Sequence, residues 1–292
     1  MDIKSIFEKD CFFIIGAPKC GTTLLSSHLA EHPEICFSSP KEPHFFSCDY
    51  PFGPPEINSL EAYLSCFSCS NEKKILGEGS VFYLYSNEAI QRIEDFSQGR
   101  AKYIICLRNP VDASFSLHAQ HVAFGWEPEK NYLRAIQRNE DCQLSVEVGE
   151  KIAKVLQYKR LYSYFYYIQR LLSVVPRERL LFLILERDMN NLETYDRLHD
   201  FLGVSRRAVS LEKRVNQARR YKSDLLYQLI TSPLVLKTAK VLRKLAGIRG
   251  FGLGNPIRIM TSHERCIAQQ IFLDDIKLTS AIIGFDHQIW IS

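Results

Sequence analysis

The chain has 292 residues, 46% hydrophobic and 24% charged, which is the balance of an ordinary globular protein and excludes a disordered, collagenous or coiled-coil chain. Its 14 Tyr and 18 Phe allow a sizeable core within one large α/β domain. Lys and Arg number 37 against 33 Asp and Glu, and the resulting +4 is too mild for a protein that coats a polyanion, so a small anionic ligand is expected and a nucleic-acid partner is not.

Residues 1–10 carry spaced charges without a long apolar stretch, so no signal peptide is expected. Cys11-Phe-Phe-Ile-Ile15 is a short apolar run suited to a buried parallel strand. Gly16-Ala-Pro-Lys-Cys-Gly21 breaks it, and Thr22–Glu31 reads as a helix. Ser47–Asn71, rich in Pro, Ser and Cys, reads as a surface excursion. Lys74-Ile-Leu-Gly77 and Ala101–Leu107 are the next strands. The latter leads into a helix reaching about His121, with Asn109 as N-cap and Pro110 as first helical residue. A Tyr-rich helix is expected over Ile152–Val175, ending before Pro176. Arg179–Leu185 supplies a fourth strand, and the helix Leu192–Leu202 is closed by Gly203. Strands alternating with helices predict an α/β fold, one three-layer domain around a central parallel sheet. The single domain spans 1–292, with a ligand-binding core over about 11–222 and a C-terminal helical extension over about 223–292.

Nine scattered cysteines in no regular frame suit reduced, buried thiols, and the expected location is the cytoplasm. Cys66-Phe-Ser-Cys69 lacks the second pair that a zinc site wants, and no metal is expected. No run approaches the ~18 apolar residues of a membrane span. Residues 225–262 hold Lys237, Lys240, Arg243, Lys244, Arg249 and Arg258 with no acid. Pro233–Leu245 could form a basic amphipathic helix, expected to pack on its own domain or on a second copy in a homodimer rather than on a membrane.

Gly16-Ala-Pro-Lys-Cys-Gly-Thr-Thr23 has the frame of a phosphate-binding loop, strand then G-x-x-x-x-G then helix. A nucleoside-triphosphate loop places Lys after the second Gly; here Thr22 stands there and the lysine has moved to Lys19. That displacement, with no Walker-B-like Asp, disfavours a P-loop kinase. Residues 12–46, from Phe12 through the loop and His32-Pro33 to Lys41-Glu-Pro-His-Phe-Phe46, resemble the opening of the sulfotransferases that use 3′-phosphoadenosine 5′-phosphosulfate (PAPS), above all the heparan sulfate branch and its bacterial relatives. The resemblance implies that Lys19, Cys20, Gly21, Thr22 and Thr23 hold the donor's 5′ end, Lys19 also stabilising charge on the leaving oxygen.

An Arg at a strand end with a hydroxyl on the following helix suits a second phosphate, and Arg108 and Ser116 stand eight apart as in the family's 3′-phosphate motif. More weakly, Gln217-Ala218-Arg219 falls where the family has a Lys-Gly-Arg loop closing over the donor, with Gln217 in place of the Lys. Glu78 in Glu78-Gly-Ser-Val-Phe-Tyr83 is expected to be the base. It lies between Gly77 and Gly79, open to whatever docks there, in a Glu-x-Ser-x-x-Tyr context that the branch shares. Gly79 stands where that branch commonly has Lys. Lys41, His44, His118 and His121 are expected to flank the acceptor. The implied reaction is in-line sulfuryl transfer from PAPS, leaving adenosine 3′,5′-bisphosphate, to a hydroxyl or amine of a small molecule, with carbohydrate O- or N-sulfation as the alternative and a non-catalytic nucleotide-binding scaffold as a further one.

Overall fold

The computed structural model describes residues 9–50, 52–68, 73–138, 145, 147–209, 220–221 and 257–291. The central sheet comprises β1 (Asp10–Gly16), β2 (Ile35–Phe37), β3 (Ile75–Glu78), β4 (Lys102–Leu107) and β5 (Leu180–Ile184), all parallel in the order β2-β3-β1-β4-β5. The strands are apolar on both faces because helices cover both, and from Cys11 to Gly16 every β1 residue is buried. β2 is only three residues long, too short to be read from the sequence. Register aligns Phe13 with Glu78 on one side of β1 and Gly16 with Ile105 on the other. Gly77 admits the Phe12 ring, since a Cβ there would lie 2.4 Å from Phe12 Cζ.

Helix α1 (Thr22–Ala30) follows β1; α2 (Leu60–Leu64) lies in the 47–71 excursion; α3 (Ala89–Ser97) precedes β4 and α4 (Pro110–Phe124) follows it. Asn109 caps α4 as expected, its Oδ1 accepting from the Val111 N–H at 3.0 Å, and Pro110 begins the helix. The excursion is more than surface, because α2 carries Tyr63 and Leu64 into the core and Phe67 follows them.

The expected long Tyr-rich helix is three short ones, α6 (Glu150–Val155), α7 (Tyr158–Tyr162) and α8 (Tyr164–Leu172), after α5 (Tyr132–Gln137). Ser163 leaves helical geometry at φ −82°, ψ 81°. That break aims Tyr158, Tyr162 and Tyr164 inward together, and all three are buried. Beyond β5 come α9 (Leu185–Asp188) and α10 (Leu192–Leu202), the latter closed by Gly203 at φ +75°.

The described part of the C-terminal extension packs on the helices around the sheet. Helix α11 (Ser262–Ile283) starts with a capping box between Thr261 and Glu264 and buries Ala268, Phe272 and Ile276, packing on α4, α5 and α8; α12 (Gln288–Ile291) buries Trp290. Asp275 of α11 accepts from the Tyr164 N–H at 2.9 Å and the Phe165 N–H at 3.1 Å, two donors that a helix start leaves unpaired. Asp275→Ala therefore costs about 1–2 kcal/mol of stability, the scale of losing a helix cap, as a lower denaturant midpoint at unchanged m-value will show. Pro233–Leu245 lies outside the described residues.

The expectation of reduced thiols fails at Cys36 on the edge strand β2, which is disulfide-bonded. Cys11, Cys20, Cys48, Cys66, Cys106 and Cys266 are free, and burial pushes the Cys11 and Cys20 thiols up to about 12, so neither is a ready nucleophile.

Candidate active site

β3, β1 and β4 are neighbours, so Glu78, the loop after β1 and Arg108 all lie at the carboxyl edge of the sheet, where open α/β sheets take their ligands. The loop is tied down from several sides. The Ala17 N–H donates to the Cys106 carbonyl at 2.7 Å, and the Tyr162 hydroxyl donates to the Pro18 carbonyl at 3.1 Å. Gly21 sits at φ +84°, and a Cβ there would meet Leu185 Cδ1 at 2.8 Å, so the turn into α1 demands glycine. The first-turn N–H groups of α1 and the positive end of its dipole face the loop.

Lys19 Nζ donates to Gln120 Oε1 at 2.8 Å, and Arg108 Nη1 donates to the Lys19 carbonyl at 3.4 Å. Burial first, and the neighbouring Arg108 charge second, hold the Lys19 ammonium below its ordinary pKa. The fold thus brings Lys19, Cys20, Gly21, Thr22 and Arg108 together, with Thr23 one residue into α1. Ser116 lies buried in α4, and Gln120 follows one turn later on the same face. Gln217, Ala218 and Arg219 lie outside the described residues.

A second cluster lies at the end of β3. Glu78 is buried, 1% exposed, and accepts from Ser80 Oγ at 2.5 Å, the Tyr63 hydroxyl at 3.0 Å and the Tyr83 hydroxyl at 3.2 Å. The Glu-x-Ser-x-x-Tyr spacing is accounted for by two of these contacts. Burial raises its carboxyl to about 7 against the lowering effect of the three hydroxyls. A cavity of about 10 Å³ on this side is walled by Cys11, Phe13, Leu76 and Phe96, so the carboxylate faces the core. The expectation of an open Glu78 is corrected: Tyr63, delivered by α2, encloses it.

The neighbouring carboxylate that is reachable is Glu42, whose side chain is 37% exposed. Lys41 Nζ donates to its Oε1 at 2.5 Å, and His44 Nε2 pairs with its Oε2 at 3.3 Å. Burial alone would raise Glu42, but the His44 hydrogen bond and the Lys41 charge outweigh it and hold the carboxyl to about 2. Segment 41–44 is laced to the β3 end, the Gly79 N–H donating to the Lys41 carbonyl at 3.3 Å and the His44 N–H to Ser80 Oγ at 3.0 Å. A Cβ on Gly79 would lie 3.6 Å from Lys41 Cε, so Lys41 brings a cation beside the place where Gly79 lacks one. His44 Nδ1 is buried without a hydrogen-bond partner among the described residues.

His121 Nδ1 pairs with the Tyr158 hydroxyl at 3.1 Å, and burial lowers its ring to about 3, so it stays neutral. His118 Nε2 pairs with the Glu129 carbonyl at 2.8 Å among Tyr132 and Tyr158. Rings link the two clusters, from His44 to Phe82 (5.7 Å), Phe52 (4.9 Å), Trp126 (6.4 Å) and His121 (5.6 Å). Glu42, Gln120 and Tyr63 escape a reading of the sequence. For Glu42 the signal was its place between Lys41 and His44, for Gln120 its spacing from Ser116, and for Tyr63 there was none.

The model of the sulfotransferase domain family matches residues 9–224. The chain belongs to this sulfotransferase family. It is 25% identical over 292 aligned residues to carbohydrate sulfotransferase 15 of Mus musculus, covering 81% of this chain and 51% of that one. It is 32% identical over 118 residues to the membrane-associated sulfotransferase kil1 of Dictyostelium discoideum, covering 39% and 23%. The chain thus spans about half the mouse sulfotransferase and about a quarter of the amoebal one. A crystallised sulfotransferase from Alicyclobacillus acidocaldarius superposes with a TM-score of 0.70 at 27% identity, covering 96% of this chain and 98% of that one, and bears out the α/β fold with its parallel sheet.

These sulfotransferase relatives overturn the cytoplasmic assignment, since one is membrane-associated by name. No helix among the described residues is long and apolar enough to cross a membrane.

Proposed function

We propose that the protein transfers the sulfuryl group of PAPS to an acceptor hydroxyl. The observation that carries this is the juxtaposition of a glycine-turned anion loop at a helix start with Lys19 and Arg108, two cations from neighbouring strand ends, the Arg108 guanidinium reaching the Lys19 carbonyl at 3.4 Å. This donor set suits a ligand phosphorylated at both ends of an adenosine. When bound, PAPS supplies the sulfuryl group and leaves as adenosine 3′,5′-bisphosphate. The amides of Gly21, Thr22 and Thr23 hold its 5′ end, Arg108 and Ser116 its 3′-phosphate, and Lys19 neutralises charge on the leaving oxygen. Cys20 keeps the loop in shape through Pro18 and Tyr164, and Gln217, Ala218 and Arg219 close over the donor as the family resemblance implies.

Glu42 takes the acceptor's proton in place of Glu78, because a base must first reach the proton it removes, and Glu78 is enclosed by three hydroxyls. Lys41 and His44 orient Glu42 and face the acceptor, and His121 borders it from α4. Similarity to a carbohydrate sulfotransferase and the Lys41 cation beside Gly79 favour a sugar hydroxyl over the small metabolite that the mild net charge suggests. The Cys36 disulfide supports action in an oxidising compartment.

Calorimetry tests the donor directly. Adenosine 3′,5′-bisphosphate is expected to bind without metal and more tightly than ATP with Mg²⁺. The reverse order would return the loop to nucleoside triphosphates. Sulfur-labelled PAPS incubated with a panel of glycans and hydroxylated metabolites then identifies the acceptor class by mass.

A further inference from the structure

The peptide unit joining Arg108 to Asn109 is held at both ends. Its carbonyl accepts from the Tyr164 hydroxyl at 3.1 Å, and its N–H donates to Glu186 Oε1 at 3.0 Å. Both partners meet at Trp290. The indole Nε1 donates to Glu186 Oε2 at 3.0 Å, and the indole lies 6.0 Å from the Tyr164 ring. The Trp290 carbonyl accepts from Asn109 Nδ2 at 2.7 Å, so the side chain that caps α4 is fixed as well. Trp290 is fully buried, with Phe285 packed on it at 4.6 Å.

A buried tryptophan needs one partner for its N–H and any acceptor serves. Here that partner is the carboxylate that grips the backbone from which the Arg108 guanidinium extends. A guanidinium recognises phosphate through a rigid planar fork, so its usefulness depends on how firmly its own backbone is aimed. Trp290 lies 181 residues beyond Asn109 and outside residues 9–224, the part that matches the family.

We propose that Trp290 is a positioning residue for the 3′-phosphate site, acting through Glu186, Asn109 and Tyr164 on the Arg108–Asn109 peptide. The inference rests on the reading of Arg108 as the 3′-phosphate anchor. It makes the C-terminal segment part of donor selection, specifically of the preference for an adenosine nucleotide that carries a 3′-phosphate over one that does not.

The test compares affinities for adenosine 3′,5′-bisphosphate and adenosine 5′-phosphate by calorimetry. Trp290→Phe keeps a ring in the core and removes the indole donor. Its affinity for the bisphosphate is expected to fall about tenfold, the equivalent of one hydrogen bond lost or misaligned, with the monophosphate nearly unchanged. Should that variant fold poorly, Glu186→Gln retains an acceptor for the Asn109 N–H but turns an amide towards the indole, and the same selective loss is expected. An undiminished preference for the bisphosphate in either folded variant overturns the proposal, and so does an equal loss for both ligands, which is what damaged packing would give. A wild-type protein indifferent to the 3′-phosphate would overturn the donor reading itself, and this inference with it.

Discussion

Glu42→Gln lowers turnover by about 10²–10⁴-fold, the usual contribution of a general base, while adenosine 3′,5′-bisphosphate binds as before. Glu78→Gln, by contrast, keeps turnover of the wild-type order and gains stability above neutral pH. The sign follows from burial, which lifts the Glu78 carboxyl from 4.5 to about 7 in the folded protein. The native state holds that proton more tightly than the unfolded chain does, so its contribution is complete below about pH 4.5 and is lost as pH rises through about 7. The gap corresponds to about 3 kcal/mol between the two extremes. Denaturant unfolding of wild type and Glu78→Gln at pH 4 and pH 8 measures it, with the variant's advantage confined to the higher pH. The rate profile separates the two carboxylates as well. Glu42, held to about 2, is ionised throughout the neutral range and imposes no acid limb there, whereas a Glu78 base would switch activity off below about pH 7. Loss of transfer in Glu78→Gln, together with such an acid limb, would restore Glu78 as the base.

Lys19→Ala lowers kcat by about 10²-fold or more, as the loss of one transition-state donor does. Lys19 is held by Gln120 at 2.8 Å, and burial with the nearby Arg108 charge makes its ammonium easier to deprotonate than a free lysine. Wild-type kcat should therefore decline on the alkaline side before the ordinary lysine range is reached. Lys19→Arg, always charged, should lose that decline even where its absolute rate is lower. Full activity in Lys19→Ala, or an alkaline limb that persists in Lys19→Arg, would remove the lysine from the chemistry.

The parts of the site that sequence could reveal are those written locally. Gly16–Thr23 is legible because strand, turn and helix start are consecutive, and Asn109-Pro110 because a cap and a first-turn proline are neighbours. The Glu78–Ser80–Tyr83 spacing is equally plain, yet it says nothing of accessibility, which Tyr63 decides from a helix 15 residues upstream. The break at Ser163 was hidden because its cause, Asp275, lies 111 residues away from Tyr164 and acts on backbone N–H groups that no residue type betrays. The resemblance points to Lys41 and His44 but not to Glu42 between them, which stands out only once the segment is seen stitched to Gly79 and Ser80. Length and alternation were enough for four strands; the three-residue β2 carried too little pattern.

The dependence of Tyr164 on Asp275, and of Asn109 on Trp290, bears on how the protein can be cut. A fragment ending at residue 224, where the family match stops, would retain every loop and strand of the donor site. It would nevertheless lose α11, whose Phe272 and Ile276 are buried and which packs on α4 and α8, leave the start of α8 without its two acceptors, and take Trp290 away from Glu186 and Asn109 behind Arg108. The end of the family match is therefore not a folding boundary in this chain. The smallest unit that carries the donor site intact must include residues 257–291.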